Sequence, residues 1–318
     1  MKALITGGAG FIGSNIAAKL VEMGWRVSVL DDLSSGYHCN IEGLPVDFHR
    51  GDVRDEGAVD AAVRGCDVVF HLAASVGNKR SIDDPVTDSS INVIGTLRVL
   101  EAARRHGVKK VVASSSAGIY GELRTMPIHE SHPLEPLTPY GASKLCMEKQ
   151  CLAYAATHGM EVVALRYFNV YGPNQRFDAY GNVIPIFVFN ALNGRSITIF
   201  GDGMQTRDFV NVSDVVQANI KAALAAGVSG AFNVASATQT RVLDLAEAIR
   251  DGLDMPVTIE FGPKRAGDVE HSLSDIRAAE AALGYRPRVG INAGLHEYLR
   301  WAKVEAGRAR ARKETEDV

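Results

Sequence analysis

Residues 2–24, KALITGGAGFIGSNIAAKLVEMG, place a short apolar strand, a glycine-rich turn and a helical segment in immediate succession. The glycines of the turn fit G-x-G-x-x-G starting at Gly8 and G-x-x-G-x-x-G starting at Gly7. Glycines allow the tight turn and let the backbone approach a pyrophosphate, which is attracted by the unpaired N–H groups at the helix start. The stretch therefore predicts a dinucleotide site at the edge of a parallel α/β sheet.

The same alternation continues through the first half of the chain. The strand-like segments RVSVLDD, CDVVFHLAA, KKVVASSS and EVVALRYFNVYG are separated by segments with helical spacing. Helices of ten or more residues between strands imply right-handed crossovers and a parallel sheet covered on both faces. We predict an α/β fold: a Rossmann-type doubly wound parallel sheet with a smaller C-terminal α/β substrate-binding domain.

The regularity weakens after VYGPNQ, where turn formers and aromatic residues become frequent. We therefore predict a nucleotide-binding domain in residues 1–168 and a mainly substrate-binding domain in residues 169–302. The chain is expected to return to the first domain near residues 205–235. The tail, residues 303–318, is highly charged and lacks an apolar face, so we expect it to fray.

The composition limits the classes of partner. The 318 residues are 46% hydrophobic and 22% charged with a formal net charge of -3, so nothing favours nucleic acid or an anionic membrane as partner. No apolar run approaches the ~18 residues of a membrane span. The N-terminus enters a strand directly, unlike a signal peptide, and the four cysteines show no C-x-x-C spacing. We expect a cytoplasmic protein with reduced thiols and no metal site.

Acidic residues follow the second and third strands. Asp31 and Asp32 lie eighteen and nineteen residues after Gly13, where a carboxylate bonds the adenosine ribose and repels a 2′-phosphate. NAD is therefore expected rather than NADP. Asp52 could meet an adenine edge or could be a simple turn aspartate. In HLAA, the small residues that end the fourth strand suit close passage beside a cofactor, and His71 is expected to be packed rather than catalytic.

The segment YGASK opens a long predicted helix after a proline-rich loop. Tyr140 and Lys144 would share one helix face, where an ammonium stabilises phenolate and lowers a pKa that is ordinarily near ~10. The pair is either a base usable near neutral pH or an ordinary surface pair. A serine run ends at Ser116, at the carboxyl end of a parallel strand, where such sheets bind ligands.

The segments TGGAGFIG, SSSAGIYG, YGASK, RYFNVYGP and RDFVNVSD, in this order, resemble the motifs of the extended short-chain dehydrogenase/reductase family. The resemblance implies that Tyr140 is the general base and acid. It also implies that Lys144 holds the nicotinamide ribose and lowers the pKa of the phenol, and that Ser116 bonds the reacting sugar hydroxyl. The implied residues for a tightly bound NAD are Gly7, Gly10, Phe11, Ile12, Gly13, Asp31, Asp32, Asp52, Val53, Leu72, Ala73, Ala74, Asn92, Ser114, Tyr140, Lys144 and Tyr167.

Within that family, the residues after the serines distinguish reactions. Dehydratases and uronate decarboxylases carry acids there, whereas this chain has Ala117, Gly118 and Ile119. SSSAGIYG is similar to the nucleoside-diphosphate-sugar 4-epimerases, which implies oxidation at C4, rotation of the 4-keto sugar and reduction from its other face. The implied substrate-binding residues are Ser116, Tyr140, Asn169, Asn182, Val183, Thr198, Phe200, Arg207, Arg265, Asp268 and Ser272.

The sugar is suggested by one small side chain. Ser272 aligns with a position that is a bulky tyrosine in epimerases restricted to plain hexoses, so we expect UDP-N-acetylglucosamine and UDP-N-acetylgalactosamine, with UDP-glucose and UDP-galactose also accepted. A neighbouring side chain could instead fill the space. Lys79 and Arg80 could bind a substrate carboxylate, so a UDP-uronic acid is an alternative substrate. Solvated charges in a loop are the simpler interpretation of these two residues.

The same residues leave two other functional classes open, and they also predict an oligomeric state. One alternative is a dehydratase or reductase on this scaffold, and another is a non-catalytic NAD-binding regulator. Residues 91–107 and 140–159 are predicted helices with apolar residues on more than one face. In this family the matching helices form an intersubunit four-helix bundle, so we expect a homodimer; packing of both helices on the sheet is the alternative.

Overall fold

The computed structural model describes residues 1–177, 182–264 and 269–316. Its first half follows the predicted alternation of strands and helices. The elements are β1 (Lys2–Thr6), α1 (Phe11–Glu22), β2 (Arg26–Asp31), β3 (Val46–Arg50), α2 (Glu56–Val63), β4 (Val68–His71), α3 (Asn78–Asp83), α4 (Pro85–Ser89), a π-helical segment (Ser90–Gly95), α5 (Thr96–Arg105), β5 (Lys110–Ser116), α6 (Pro139–His158) and β6 (Glu161–Tyr167).

The second half has shorter elements. They are β7 (Asn169–Tyr171), α7 (Val183–Leu192), β8 (Ile197–Phe200), β9 (Thr206–Asn211), α8 (Val212–Leu224), β10 (Gly230–Val234), β11 (Gln239–Arg241), α9 (Val242–Asp251), β12 (Ile259–Gly262), α10 (Arg277–Leu283) and α11 (Ile291–Glu316). Strands β11, β9 and β7 form one small sheet, and β12 pairs with β8 in another. A separate apolar core, which includes Phe187, Ile199 and Leu245, lies between these strands and helices α7, α9 and α11.

A seven-stranded sheet of order β10-β6-β5-β4-β1-β2-β3 organises the first half. Each strand pair in it is parallel. The central strands are apolar on both faces, as Leu4, Ile5 and Phe70 illustrate with no exposed surface, because helices cover both sides. The predicted Rossmann-type doubly wound sheet is confirmed.

The segment EVVALRYFNVYG, predicted as one strand, divides at Phe168 into β6 and β7, which belong to different sheets. The amide of Phe168 donates to the carbonyl of Val234 in β10 at 3.1 Å. Strand β10 pairs with β6 along its whole length, and α8 packs against α1. The chain therefore re-enters the large sheet within residues 230–234, after it has passed through the smaller one.

Helix α11 extends to Glu316, so the backbone of residues 303–316 is helical where the sequence analysis expected fraying. Its beginning is held because Leu295, Tyr298 and Ala302 lie in the second core. Within the described residues, none of the helices combines the length and the apolar character needed to cross a membrane.

Candidate active site

Strands β1, β4 and β5 are neighbours in the sheet, so the residues at their carboxyl ends share one edge. The glycine turn follows β1, and Leu72 and the small residues Ala73 and Ala74 follow β4. The serine run ends β5, where Ser116 is in register with Tyr167 at the end of β6. The structure thus brings the predicted dinucleotide turn and the predicted catalytic serine to the same side of the molecule.

The glycine turn fits a dinucleotide. A Cβ at Gly7 would lie 2.7 Å from the amide nitrogen of Ala73, and one at Gly13 would lie 2.2 Å from the carbonyl of Gly7, so neither position has room for a side chain. Gly7 also has φ of +69°, which favours glycine. No side chain caps α1 at Gly10, and therefore the N–H groups of its first turn are available to phosphate oxygens.

The two aspartates after β2 have different surroundings. Asp31 accepts hydrogen bonds from the amides of Ala9 and Leu33, both at 2.9 Å, and burial raises its pKa. Asp32 instead accepts from Ser34 and lies on the surface. Asp31 is therefore the carboxylate that lies against the glycine turn, where the dinucleotide ribose was predicted.

Asp52 has the geometry of a turn aspartate. It accepts from the guanidinium and the backbone amide of Arg54, and the hydrogen bonds from that side chain are the main reason why its pKa is lowered. The neighbouring Val53 is buried against Gly95. A contact between Asp52 and adenine stays a prediction.

Ser116, Tyr140 and Lys144 come together from β5 and α6. The side chains of Ser116 and Tyr140 both lie beside Gly118, where a Cβ would be 3.3 Å from the hydroxyl oxygen of Ser116 and 3.7 Å from the ring of Tyr140. The ammonium of Lys144, which is buried, donates to the carbonyl of Ser114 at 2.7 Å. Pro139 at the start of α6 and the Thr138 side chain, which accepts from the amide of Gly141, fix where this helix begins.

The pKa of Tyr140 differs in direction from the prediction. Burial raises it, the hydrogen bond with Ser116 lowers it less, and the charge of Asp88 raises it further. Burial also lowers the pKa of Lys144 to about 8. The predicted lowering by Lys144 was wrong for this structure, because desolvation dominates at the phenol and the ammonium is directed to Ser114.

A buried polar cluster packs against helix α6. Asn92, in the π-helical segment, donates to Asp88, Ser143 and the carbonyl of Ser75, and it accepts from the amide of Ser75. Ser143 donates to Asp88 at 2.5 Å. Asn92 was predicted to bind the cofactor. In the structure, the oxygen and the nitrogen of its side-chain amide both have protein partners, and the nitrogen donates to Ser143 on α6.

A second buried cluster ties α6 to the sheet. Arg166 of β6 makes a two-pronged ion pair with Glu148 of α6, at 2.6 and 2.9 Å. Ser115 donates to Glu148, and Arg166 donates to the hydroxyl of Tyr120. Sequence reasoning missed Asp88, Ser143, Glu148 and Arg166, because no local spacing signals a partner 18 to 55 residues away.

The predicted substrate-binding residues fall into two groups. Asn169, Arg207 and Ser272 meet at β9: Asn169 donates to the carbonyl of Asp208, and the guanidinium of Arg207 and the amide of Ser272 both bond the carbonyl of Thr206. Thr198 and Phe200 lie on β8.

The remaining residues predicted to bind substrate or cofactor, and the predicted absence of a metal site, are taken in turn. Asn182 donates to the carbonyl of Val170, and Val183 begins α7. The hydroxyl of Tyr167 donates to the side chain of Asn219 in the core at 3.0 Å, and a contact between Tyr167 and the cofactor stays a prediction. Arg265 and Asp268 lie outside the described residues. Among the residues that the structure describes, no three His, Cys, Asp or Glu side chains converge in a metal-binding arrangement.

Comparison with known proteins identifies the family of this chain. The model of the NAD dependent epimerase/dehydratase family matches residues 3–235. The UDP-glucose 4-epimerase of Mycolicibacterium smegmatis is 39% identical over 306 residues, covering 93% of this chain and 96% of that protein. The UDP-N-acetylglucosamine 4-epimerase of Methanobrevibacter ruminantium, solved with UDP-N-acetylmuramic acid, is 34% identical with a TM-score of 0.91, covering 96% of this chain and 98% of that one. The Thermus thermophilus UDP-glucose 4-epimerase, solved with NAD, is 36% identical with a TM-score of 0.86, covering 95% and 99%.

Proposed function

The chain belongs to the NAD dependent epimerase/dehydratase family, and from this premise we propose that it inverts C4 of a UDP-linked sugar. The observation that carries the proposal is the meeting of Ser116, Tyr140 and Lys144 beside the glycine turn. The names of the two solved neighbours and of the M. smegmatis relative support it.

The glycine turn and Asp31 would hold NAD, which would supply the acceptor and then the donor of a hydride. The residues of this chain manage the proton. Tyr140 accepts the proton of the C4 hydroxyl as the C4–H bond breaks, which leaves a 4-keto sugar, and gives the proton back when C4 is reduced from the other face. Ser116 would bond the reacting hydroxyl of the sugar, and Lys144, whose ammonium is fixed at the carbonyl of Ser114, would hold the nicotinamide ribose. The reaction has no net redox change.

The absence of acids after Ser116 favours epimerisation over dehydration. Elimination needs an acid and a base near the C5 and C6 positions of the sugar, whereas the residues after Ser116 are Ala117, Gly118 and Ile119. Ile119 is fully buried, so its side chain packs in a small core rather than in the cleft.

We propose a UDP-N-acetylhexosamine as substrate, with the plain hexose also accepted. Ser272 is small and lies beside β9, close to the predicted diphosphate contacts Asn169 and Arg207. The M. ruminantium neighbour acts on UDP-N-acetylglucosamine and supports this choice. Lys79 pairs with Asp83 one helical turn away, which fits a solvated surface charge better than a carboxylate receptor.

The test is direct. The purified protein, without added cofactor, is incubated with UDP-N-acetylglucosamine, and the sugar is followed by proton NMR. We expect the C4 epimer to accumulate to a fixed ratio. Formation of a 4-keto-6-deoxy sugar would show dehydration instead, and an unchanged sugar with both hexose and N-acetylhexosamine would overturn the proposal.

We also propose a cytoplasmic homodimer formed through α5 and α6. Helix α6 exposes the small side chains of Ala142 and Cys146, and Ile94, in the π-helical segment just before α5, is also exposed. Light scattering after size-exclusion chromatography measures the mass, and a monomer at micromolar concentration would contradict the dimer.

A further inference from the structure

Arg176 connects the second half of the chain to the wall of the dinucleotide site. It lies in the loop after β7, and its side chain is mostly buried. Its guanidinium donates to Glu305 of α11 at 2.7 Å and to the side chain of Asn40 at 2.7 Å. The same group lies over the ring of Tyr37, 4.2 Å from its centroid, and near the ring of Trp301 at 5.7 Å.

Tyr37 and Asn40 belong to the segment between β2 and β3, which packs on the glycine turn. The amide of Tyr37 and the side chain of Asn40 both donate to the carbonyl of Ala9, at 3.0 and 2.8 Å. The amide of Ala9 in turn donates to Asp31. A chain of contacts therefore runs from Arg176 through this segment to the carboxylate predicted to bind ribose.

The loop that carries Arg176 also contacts α1 directly. Asn15 donates to the carbonyl of Pro173 at 3.0 Å, and Asn174 donates to the hydroxyl of Ser14 at 3.0 Å. Ser14 and Asn15 follow the first turn of α1, whose N–H groups are the predicted phosphate donors. The loop therefore touches the dinucleotide site from two sides, on the helix and on the segment after β2.

These contacts suit a residue that holds two segments of the chain together rather than one that takes part in catalysis. A guanidinium that is paired, hydrogen-bonded and stacked on an aromatic ring is held in one orientation, because its planar fork satisfies several partners at once. The segment with Tyr37 and Asn40 packs on the glycine turn through the carbonyl of Ala9, so movement of this segment would loosen one wall of the predicted dinucleotide site. Separating this segment from Arg176 breaks the hydrogen bond to Asn40 and the contact with Tyr37.

We propose that Arg176 is a positioning residue that retards NAD release, by holding Tyr37 and Asn40 against the glycine turn. This inference rests on the proposed function, since a 4-epimerase returns the hydride to the sugar from which it came and gains from a cofactor that stays. Arg176 touches neither Ser116 nor Tyr140 in the contacts described, and it acts through Tyr37 and Asn40.

The experiment measures the rate at which bound NAD leaves the purified holoenzyme. The protein is freed of unbound cofactor by gel filtration, and the released NAD is trapped over time by an NAD-specific dehydrogenase with its own substrate. We expect Arg176→Ala to release NAD roughly tenfold to hundredfold faster, the factor that corresponds to losing a charged hydrogen bond. Arg250→Ala, which removes an exposed guanidinium paired only locally with Asp251, is the matched control and is expected to behave as wild type.

Two further variants keep the test decisive if Arg176→Ala fails to fold. Tyr37→Leu changes an exposed ring and is expected to accelerate release. Arg176→Lys retains charge but lacks the fork, so it is expected to release NAD at a rate between those of wild type and Arg176→Ala. In a double-mutant cycle, Tyr37→Leu should add little to Arg176→Ala, because the two changes remove the same contact.

The possible failures are distinguishable. Equal release rates in wild type, Arg176→Ala and Tyr37→Leu would overturn the inference and leave the epimerase proposal intact. A wild-type protein that retains no NAD after gel filtration, and that fails to bind added NAD, would overturn the proposed function and the inference with it.

Discussion

The ammonium of Lys144 lies 2.7 Å from the backbone carbonyl of Ser114 and donates a hydrogen bond to it. This contact joins the first turns of α6 to the end of β5, and it sets Tyr140 beside Ser116. The catalytic geometry therefore depends on how firmly one helix is held against one strand.

Replacing Tyr140 by phenylalanine removes the proposed base with little change in volume. We expect turnover to fall by about 10²–10⁴-fold, the usual contribution of a positioned acid–base group. Bound NAD and the circular dichroism spectrum should not change. Tyr154→Phe is the control, since Tyr154 lies on the same helix but bonds Glu101 away from the cleft. Unchanged turnover in Tyr140→Phe would remove Tyr140 from the mechanism.

Ser116→Ala should move the acidic limb of the pH profile of kcat/KM to higher pH. The base form of Tyr140 is the phenolate, and the hydrogen bond with Ser116 lowers the pKa of the phenol, so its loss raises that pKa. A higher pH is then needed to deprotonate it. Ser116→Thr keeps a hydroxyl and should restore the wild-type limb, whereas a limb that moved to lower pH would contradict the assignment.

Asp88→Asn should have the opposite effect. The charge of Asp88 raises the pKa of Tyr140, so its neutralisation lowers that pKa and moves the acidic limb to lower pH. The hydroxyl of Ser143 can rotate to accept from the new amide and still donate to the carbonyl of Tyr140, 3.0 Å away. An effect on folding alone would lower activity at every pH without moving the limb, and would refute an electrostatic role for Asp88.

Glu148→Gln tests stability rather than chemistry. It leaves the buried guanidinium of Arg166 without its counter-ion, and breaking such a pair costs about 3–5 kcal/mol of unfolding free energy. Glu135→Gln, which alters an exposed pair with Arg124, should cost at most about 1 kcal/mol. Urea denaturation of both variants measures the difference. Equal losses would mean that the buried pair contributes no more than a surface contact.

Ser272→Tyr should narrow the substrate range. If the small side chain makes room for an N-acetyl group, a phenol ring there should reduce activity on UDP-N-acetylglucosamine by at least about tenfold, the effect of roughly 1.4 kcal/mol. Activity on UDP-glucose should be largely retained. Parallel measurements of kcat/KM for both sugars give the ratio, and a ratio that did not change would place the selectivity elsewhere in the cleft.

The sequence predicted what depends on local pattern. The glycine turn, the strand alternation and the four-residue spacing of Tyr140 and Lys144 are periodic signals that adjacent residues carry. The pKa of Tyr140 could not be predicted, because burial is a property of the assembled molecule. The same holds for the Arg166–Glu148 pair and for Arg176, whose partners Asn40 and Glu305 are more than 100 residues away along the chain.

The position of strand β10 limits how the chain can be divided into fragments. Residues 230–234 belong to the second half of the chain but complete the large sheet, so a fragment that stops at residue 168 would leave β6 as an unpaired edge strand. Asn233 would also be missing, and the carbonyl of Ile128 would lose the hydrogen bond that the side chain of Asn233 donates to it. The second half of the chain therefore cannot be removed without disrupting the large sheet. A chimaera designed to take the substrate specificity of a relative should therefore retain the recipient's own residues from β9 to β10.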